Sequence, residues 1–361
     1  MKQITVIGDT GSGKTSYTYA MNHYLAFGHI KGFSLSCMND SSIDPRPDYD
    51  KDEEMNERYE QLANAELGPD RFPLPSNKKT SYNFSLKYRL KKVTDFKWGD
   101  YPGNWIDSRD GGADMFLTDV RNSDTWSIYI DGAKLYHALI EIKDSKERNN
   151  YLYDKVFGKY LRFMHVNADY IPSFISIIVT KSDLLLRPLF KKWYAELAVY
   201  TPSERMTYAQ QKAREEVINL FKDMIFDNIP EEKFQICISF VTLGDSIAEN
   251  NYRGPLDPKN IEFPITVSLL SILAKEFKTL QDDIAAKQYR IEEIRQSIFT
   301  SKEKRIYLQN EIDNNLRPRM EHIRTAVRAI TQRINDNVIL YNKGRNNTVG
   351  VATYFNTVFH I

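Results

Sequence analysis

Short apolar runs and longer amphipathic stretches alternate along this chain. Ile4-Thr5-Val6-Ile7 is β-branched and apolar, as a strand buried on both faces should be, and residues 16–27 follow as a helix with no internal Gly or Pro. Further strands are expected at 32–37, at 82–88 where alternation has a period of two, at 95–100, in Trp126-Ser127-Ile128-Tyr129-Ile130-Asp131, in Ile175-Ser176-Ile177-Ile178-Val179 and at 236–242. Helical periodicity fills the gaps at 50–67, 150–166, 184–199 and 203–226. Strands alternating with helices predict an α/β fold with a mostly parallel sheet.

The texture changes at Phe263. Leu269, Leu270, Leu273 and Phe277 mark a helix that packs on the sheet, and the stripe continues through Leu280, Ile284, Ile291, Ile294 and Ile298 to Leu308 and Ile312. Lys287, Ser301 and Arg305 interrupt it. A second run, Met320, Ile323, Val327, Ile330, Ile334 and Tyr341, follows Asn314-Asn315-Leu316-Arg317-Pro318, which reads as a kink or turn near 314–318. The expectation is an α-helical coiled-coil arm over 263–345. Because an apolar stripe needs cover, the arm folds on itself, self-associates or docks a protein partner. The remainder, 346–361, is an apolar, β-prone tail that must pack against something.

Composition narrows the classes. The 49 Lys+Arg nearly balance 48 Asp+Glu, so no global field favours nucleic acid, and none is expected as a partner. Two distant cysteines and six scattered histidines make no disulfide framework and no zinc site. With no apolar run near 18 residues and no leader ahead of the first strand, no transmembrane segment is expected and the location is cytoplasmic; lipid contact stays open.

Candidate chemistry sits where strands end. After the first strand comes Gly8-Asp9-Thr10-Gly11-Ser12-Gly13-Lys14-Thr15, a full GxxxxGK[ST] loop leading with Ser16 into a helix. Its backbone N–H groups suit a phosphate chain, with Lys14 reaching the β- and γ-phosphates and Thr15 ligating Mg2+. The strand at 95–100 ends in Asp100-Tyr101-Pro102-Gly103. There Asp100 can hold Mg2+ through water, and the Gly103 N–H can sense a γ-phosphate. The strand at 175–179 runs into Thr180-Lys181-Ser182-Asp183. The Asp183 carboxylate suits the N1–H and N2–H2 edge of guanine, which adenine lacks, and the Lys181 stem suits the purine face.

Together these motifs resemble the translation-factor class of P-loop GTPases, which includes Ras-like and dynamin-like enzymes. The resemblance covers about 1–262, with an insert at about 30–79. It implies a P-loop GTPase fold that binds GTP/GDP with Mg2+. Thr80 stands as the first-switch threonine and a metal ligand beside Thr15 and Asp100, and Ser239, Phe240 and Val241 back the base. The run from Phe72-Pro73 to Thr80 with DYPG is similar to bacterial GTPases of conflict and signalling gene clusters, including double-GTPase proteins.

This chain departs from the family pattern in several places. Asn104 stands where Ras-like members have a water-orienting Gln. Thr10 crowds the path of an arginine finger from another protein, so a finger in cis becomes attractive, with Arg71, Lys78 and Lys79 as candidates. Gly11 replaces the Asn of potassium-activated members. Hydrolysis of GTP as a molecular switch is therefore the leading expectation, with Lys14, Thr80, Asp100 and Gly103 catalytic. A scaffold that binds GTP without turning it over, a dynamin-like mechanical GTPase and an ATPase are the alternatives.

Overall fold

The computed structural model describes residues 1–27, 32–38, 50–75, 78–106, 111–226, 235–245, 247, 251–296, 302–334, 338–342 and 347–360; the side chains at 111–113, 339 and 342–349 are not included. The loop with Pro45 and Pro47, and Ile298 and Ser301 of the helical stripe, lie outside the described residues. No helix among the described residues is long and apolar enough to cross a membrane.

The strands are β1 (Lys2–Gly8), β2 (Phe33–Met38), β3 (Thr80–Tyr88), β4 (Lys91–Asp100), β5 (Thr125–Asp131), β6 (Phe174–Thr180), β7 (Gln235–Phe240), β8 (Val338–Asn342) and β9 (Asn347–Gly350). They form one sheet in the order β2-β3-β4-β1-β5-β6-β7-β8-β9. The middle, β4-β1-β5-β6-β7, is parallel. Antiparallel pairs extend both sides, β2-β3 beyond β4 and β8-β9 beyond β7.

Among the described residues twelve α-helices connect and cover these strands: α1 (Lys14–Ala26), α2 (Lys51–Ala63), α3 (Gly111–Arg121), α4 (Gly132–Tyr136), α5 (Ser145–Tyr151), α6 (Gly158–Val166), α7 (Ser182–Glu196), α8 (Pro202–Met224), α9 (Phe263–Gln296), α10 (Lys302–Glu311), α11 (Arg317–Thr331) and α12 (Val351–Phe359). The two sheet faces carry separate cores. Ile4, Val6, Phe174 and Ile178 pack with side chains of α1, α2, α9, α11 and α12, while Ile7, Ile175, Ile177 and Val179 pack with those of α3, α6, α7 and α8. Burial on both faces is why the central strands read as unbroken apolar runs.

The insert between α1 and β3 builds onto this sheet. β2 pairs with β3, Met55 and Leu62 of α2 are buried, and the Asp52 carboxylate accepts the Cys37 N–H at 2.7 Å. Asp50 caps α2 by accepting the Asp52 N–H, and the acids of the first turn suit the helix dipole. The helix expected over 50–67 stops at Ala63, and a 3-10 stretch over Ala65–Arg71 takes over.

Beyond 262 the chain first packs on the sheet, as expected, and then leaves it, but the tail is not separate. α9 buries its first eleven residues and Phe277 in the core before it emerges. Its far half carries a small cluster in which Ile291, Leu308 and Ile312 are buried, packed by Ile284, Ile294 and Leu316. Lys287, read as a break in the stripe, pairs with Glu311 across the two helices at 3.2 Å. Of the kink or turn expected near 314–318, the turn is not found. Helix continues through a π-helical segment, Ile312–Leu316, into α11, and α10 already packs along the far half of α9. The wider π turn accommodates Pro318 in the first turn of α11, where its missing N–H costs little.

The tail is a strand and then a helix. β9 ends the sheet, and α12 buries Val351, Phe355 and Phe359, four residues apart, with Phe355 against Phe174 and Phe359 against Phe277. With β8 on β7, the sheet crosses the divisions expected at 262 and 345.

Candidate functional site

The parallel strands β1, β4, β5, β6 and β7 end on one edge, where Gly8, Asp100, Asp131, Thr180 and Phe240 stand. The crevice outside the carboxyl ends of such strands is where open α/β sheets bind ligands.

The loop 8–15 turns from β1 into α1 over this edge. Gly13, the N-cap of α1, has φ +87°, a left-handed conformation that a side chain would strain. The turn aims the first N–H groups of a 13-residue helix outward. Lys14 is buried and folded back, donating from Nζ to the Gly8 carbonyl at 2.8 Å and the Asp9 carbonyl at 3.0 Å. Burial lowers its pKa, and the Asp100 and Asp9 charges oppose that. Ser16 is buried beneath the loop, and the buried Ser12 Oγ has no hydrogen-bond partner.

β4 brings Asp100 to the start of α1. The Thr15 hydroxyl donates to Asp100 Oδ2 at 2.8 Å, and Thr80 sits opposite Asp100 in the β3–β4 ladder. Burial raises the Asp100 pKa; the Lys14 charge and the hydrogen bonds from Thr15 and the Tyr101 N–H counter it. Gly103 lies against the glycine loop so closely that a Cβ there would stand 2.2 Å from the Thr10 nitrogen and 2.5 Å from the Asp9 carbonyl carbon. Only glycine fits that approach. Tyr101 is held by a hydrogen bond to Asp119 of α3, and Lys79 pairs with the same carboxylate.

β6 supplies the third group. The Thr180 hydroxyl donates to the Ser12 carbonyl at 2.7 Å, and Lys181 Nζ donates to the Gly11 carbonyl at 3.0 Å and pairs with Asp131 at 2.9 Å. Lys181 itself is left-handed, with φ +49°, as it swings β6 into α7. Asp183 lies in the first turn of α7, and its Oδ1 accepts the Thr242 hydroxyl at 2.7 Å. Three segments far apart in sequence are thus bonded to one another around the loop.

Other expected residues fall differently. Ser239 and Phe240 are buried strand residues, Phe240 in the core beneath α7 and α8; Val241 contributes its backbone, donating to the Val179 carbonyl and accepting the Ser182 N–H. Thr242, one residue further, is the member of this segment that bonds Asp183; no sequence signal singled it out. Arg71 is buried, with Nη1 donating to the Gly254 carbonyl at 2.9 Å, and Lys79 is tied to Asp119. Asn104 is exposed.

Two cations beside the loop were not anticipated. Lys134 of α4 pairs with Asp9 at 2.6 Å, and Lys159 of α6 pairs with the other oxygen of the same carboxylate. Burial alone would raise the Asp9 pKa, but the two lysines bring it below its ordinary value.

The donor set suits a hard cation shared with a ligand. Thr15 and Asp100 supply oxygens, and among the described residues there is no group of three His, Cys, Asp or Glu to cage a metal. Mg2+ commonly takes one or two protein oxygens and completes its shell with water and phosphate. No protein-family model and no curated protein is significantly similar to the chain.

Proposed function

We propose that the chain is a GTP-binding protein of P-loop GTPase fold that hydrolyses GTP to GDP and phosphate with Mg2+. The observation that carries this reading is the direct bonding of three motifs around one loop: Thr15 with Asp100, and Thr180 and Lys181 with the loop carbonyls.

In this reading Lys14 leaves the Gly8 and Asp9 carbonyls and turns its ammonium to the β- and γ-phosphate oxygens. The loop N–H groups and the positive end of α1 stabilise the rest of the phosphate charge. Thr15 and Asp100 would hold Mg2+, directly or through water, with Thr80 completing the set when the triphosphate is present, and the bound ion would supply positive charge that neutralises the phosphate chain. A water oxygen forms the new bond to the γ-phosphorus as the bond to the β,γ-bridging oxygen breaks. The bond electrons stay on the β-phosphate, and both protons of the water leave with inorganic phosphate, one of them free to pass on to solvent. Gly103 reports the γ-phosphate from the loop it already touches, and Asp183 accepts the guanine edge. Output passes to a partner through the helical arm, whose α11 is pinned to β4 where Arg319 donates to the Val93 carbonyl and pairs with Glu276 at 2.7 Å.

Turnover of GTP and ATP by the pure protein with Mg2+, beside Lys14→Ala and Asp183→Asn, tests the reading. GTP-selective turnover, lost in Lys14→Ala and redirected toward xanthosine triphosphate in Asp183→Asn, is the expected result. Equal use of ATP, or indifference to both substitutions, overturns it.

A further inference from the structure

Asp9 is a carboxylate inside a loop read as binding phosphate, and by itself it would repel that ligand. The structure surrounds it with more positive charge than one carboxylate needs. Lys134 approaches from α4 and Lys159 from α6, one to each oxygen. The Lys159 charge is also felt at Lys14. Counting the five groups, three ammoniums face two carboxylates, Asp9 and Asp100.

The delivery of these lysines is built into the fold. A π-helical segment, Leu152–Phe157, precedes α6, and π segments recur at functional sites because they re-aim the residues beyond them. Next in line, Gly158 packs so tightly on this segment that a Cβ would meet the Tyr153 carbonyl oxygen at 2.5 Å. Lys159 and Tyr160 follow. The Tyr160 hydroxyl accepts the Asp9 N–H at 3.0 Å and donates to the Tyr129 carbonyl at 3.0 Å, which fixes the start of α6 to the glycine loop. Lys134 is steadied from the same segment, donating to the Lys155 carbonyl at 3.4 Å. Gly103 also lies in contact with the Asp9 and Thr10 backbone. The cations and the proposed γ-phosphate sensor therefore meet the loop at the same residue, Asp9.

We propose that Lys134 and Lys159 are the cations this chain supplies in cis to the terminal phosphate of a bound nucleoside triphosphate, held on Asp9 until that phosphate arrives. The inference rests on the GTP reading and deepens it. A γ-phosphate brings more negative charge than Asp9 and competes for both ammoniums; a diphosphate leaves them on Asp9. The lysines then discriminate GTP from GDP and stabilise charge that builds on the transferring phosphoryl group. Their side chains remain partly exposed, at 32% for Lys134 and 15% for Lys159, so neither is locked in a core.

The test compares Lys134→Gln, Lys159→Gln, the double variant, Lys159→Arg and Asp9→Asn with wild type and Lys14→Ala. Turnover at saturating GTP and the ratio of GTP to GDP affinity are the readouts. A single Gln variant should lose about 10²-fold in turnover, the scale for removing one preorganised donor, with GDP affinity unchanged. Lys159→Arg should retain most of the rate. Asp9→Asn should tighten GTP more than GDP, because the carboxylate competing with the terminal phosphate is gone, whereas lysines that merely neutralise Asp9 predict an equal gain for both nucleotides. Should wild type bind GTP without turnover, the affinity ratio alone decides. A double variant within twofold of wild type on both readouts overturns the proposal while leaving the GTP reading intact. Wild type that shows no GTP binding and no difference from Lys14→Ala overturns both. Acetylation mapping on wild type guards against variants that misfold: a non-hydrolysable GTP analogue should protect Lys134 and Lys159 more than GDP does, and equal protection overturns the proposal.

Discussion

Gly103 is the residue at which geometry is most demanding. A methyl group there would sit inside van der Waals contact of the Thr10 and Asp9 backbone. Gly103→Ala should therefore push 101–106 off the glycine loop, destabilise the protein by about 1–3 kcal/mol as overpacking does, and weaken discrimination between GTP and GDP. Thermal melting and paired titrations with the two nucleotides check both effects. Asp119 sets a second residue-level expectation. Burial pushes its carboxyl up, but hydrogen bonds from Lys79 and Tyr101 and the charges of Lys79 and Lys97 bring it net below its ordinary value. A depressed folded-state pKa adds stability that is full above the unfolded value, about 4, and fades as pH falls through the folded one. Lys79→Met should thus cost stability at pH 7 and little in acid, and the gap between the two melting curves should close below about pH 4. A gap constant with pH would show that the Asp119–Lys79 pair contributes nothing through charge. These contacts were not legible in sequence, because Lys79 and Asp119 lie 40 residues apart and meet only through the β3–β4 ladder and α3.

Among the elements, the paired helices beyond the sheet behave differently from the part of α9 that lies in the core. The cluster of Ile291, Leu308 and Ile312 is small and stands apart from the two main cores. Ile312→Ala should cost about 2–4 kcal/mol locally, if the cost of large-to-small core changes applies. Hydrogen exchange should then rise over 284–316 while β1, β5 and β6 stay protected and GTP turnover is unchanged. A loss of protection across the whole sheet would mean that the arm is coupled to the core more tightly than its packing indicates. The apolar positions at three- and four-residue spacing located this stripe correctly. Of the kink or turn left open near 314–318, the structure has helix with a π segment and no turn; an Asn-Asn pair before Arg-Pro satisfies a turn as well as it satisfies a π segment with proline just beyond it.

At the scale of the molecule, β8, β9 and α12 complete the sheet and one of its cores. Removing 338–361 would expose Ile236, Ile238 and Phe174 and strip β7 of its antiparallel neighbour. That truncation should give an aggregated or unfolded product, whereas replacing 288–308 by a short linker should leave a folded, nucleotide-binding protein; circular dichroism and gel filtration distinguish the two. The sequence by itself determined the α/β class, the strands of the parallel core and the three motif loops, because those depend on local rules: burial on both faces makes a strand wholly apolar, and a glycine loop ahead of a helix needs only its own residues. Tertiary structure alone decided that the tail joins the sheet, that Thr242 rather than Ser239 or Phe240 meets Asp183, and that Lys134 and Lys159 converge on Asp9. Each of those depends on contacts between segments separated by tens to hundreds of residues, and a lysine that will meet a loop carboxylate reads in sequence like any solvated one.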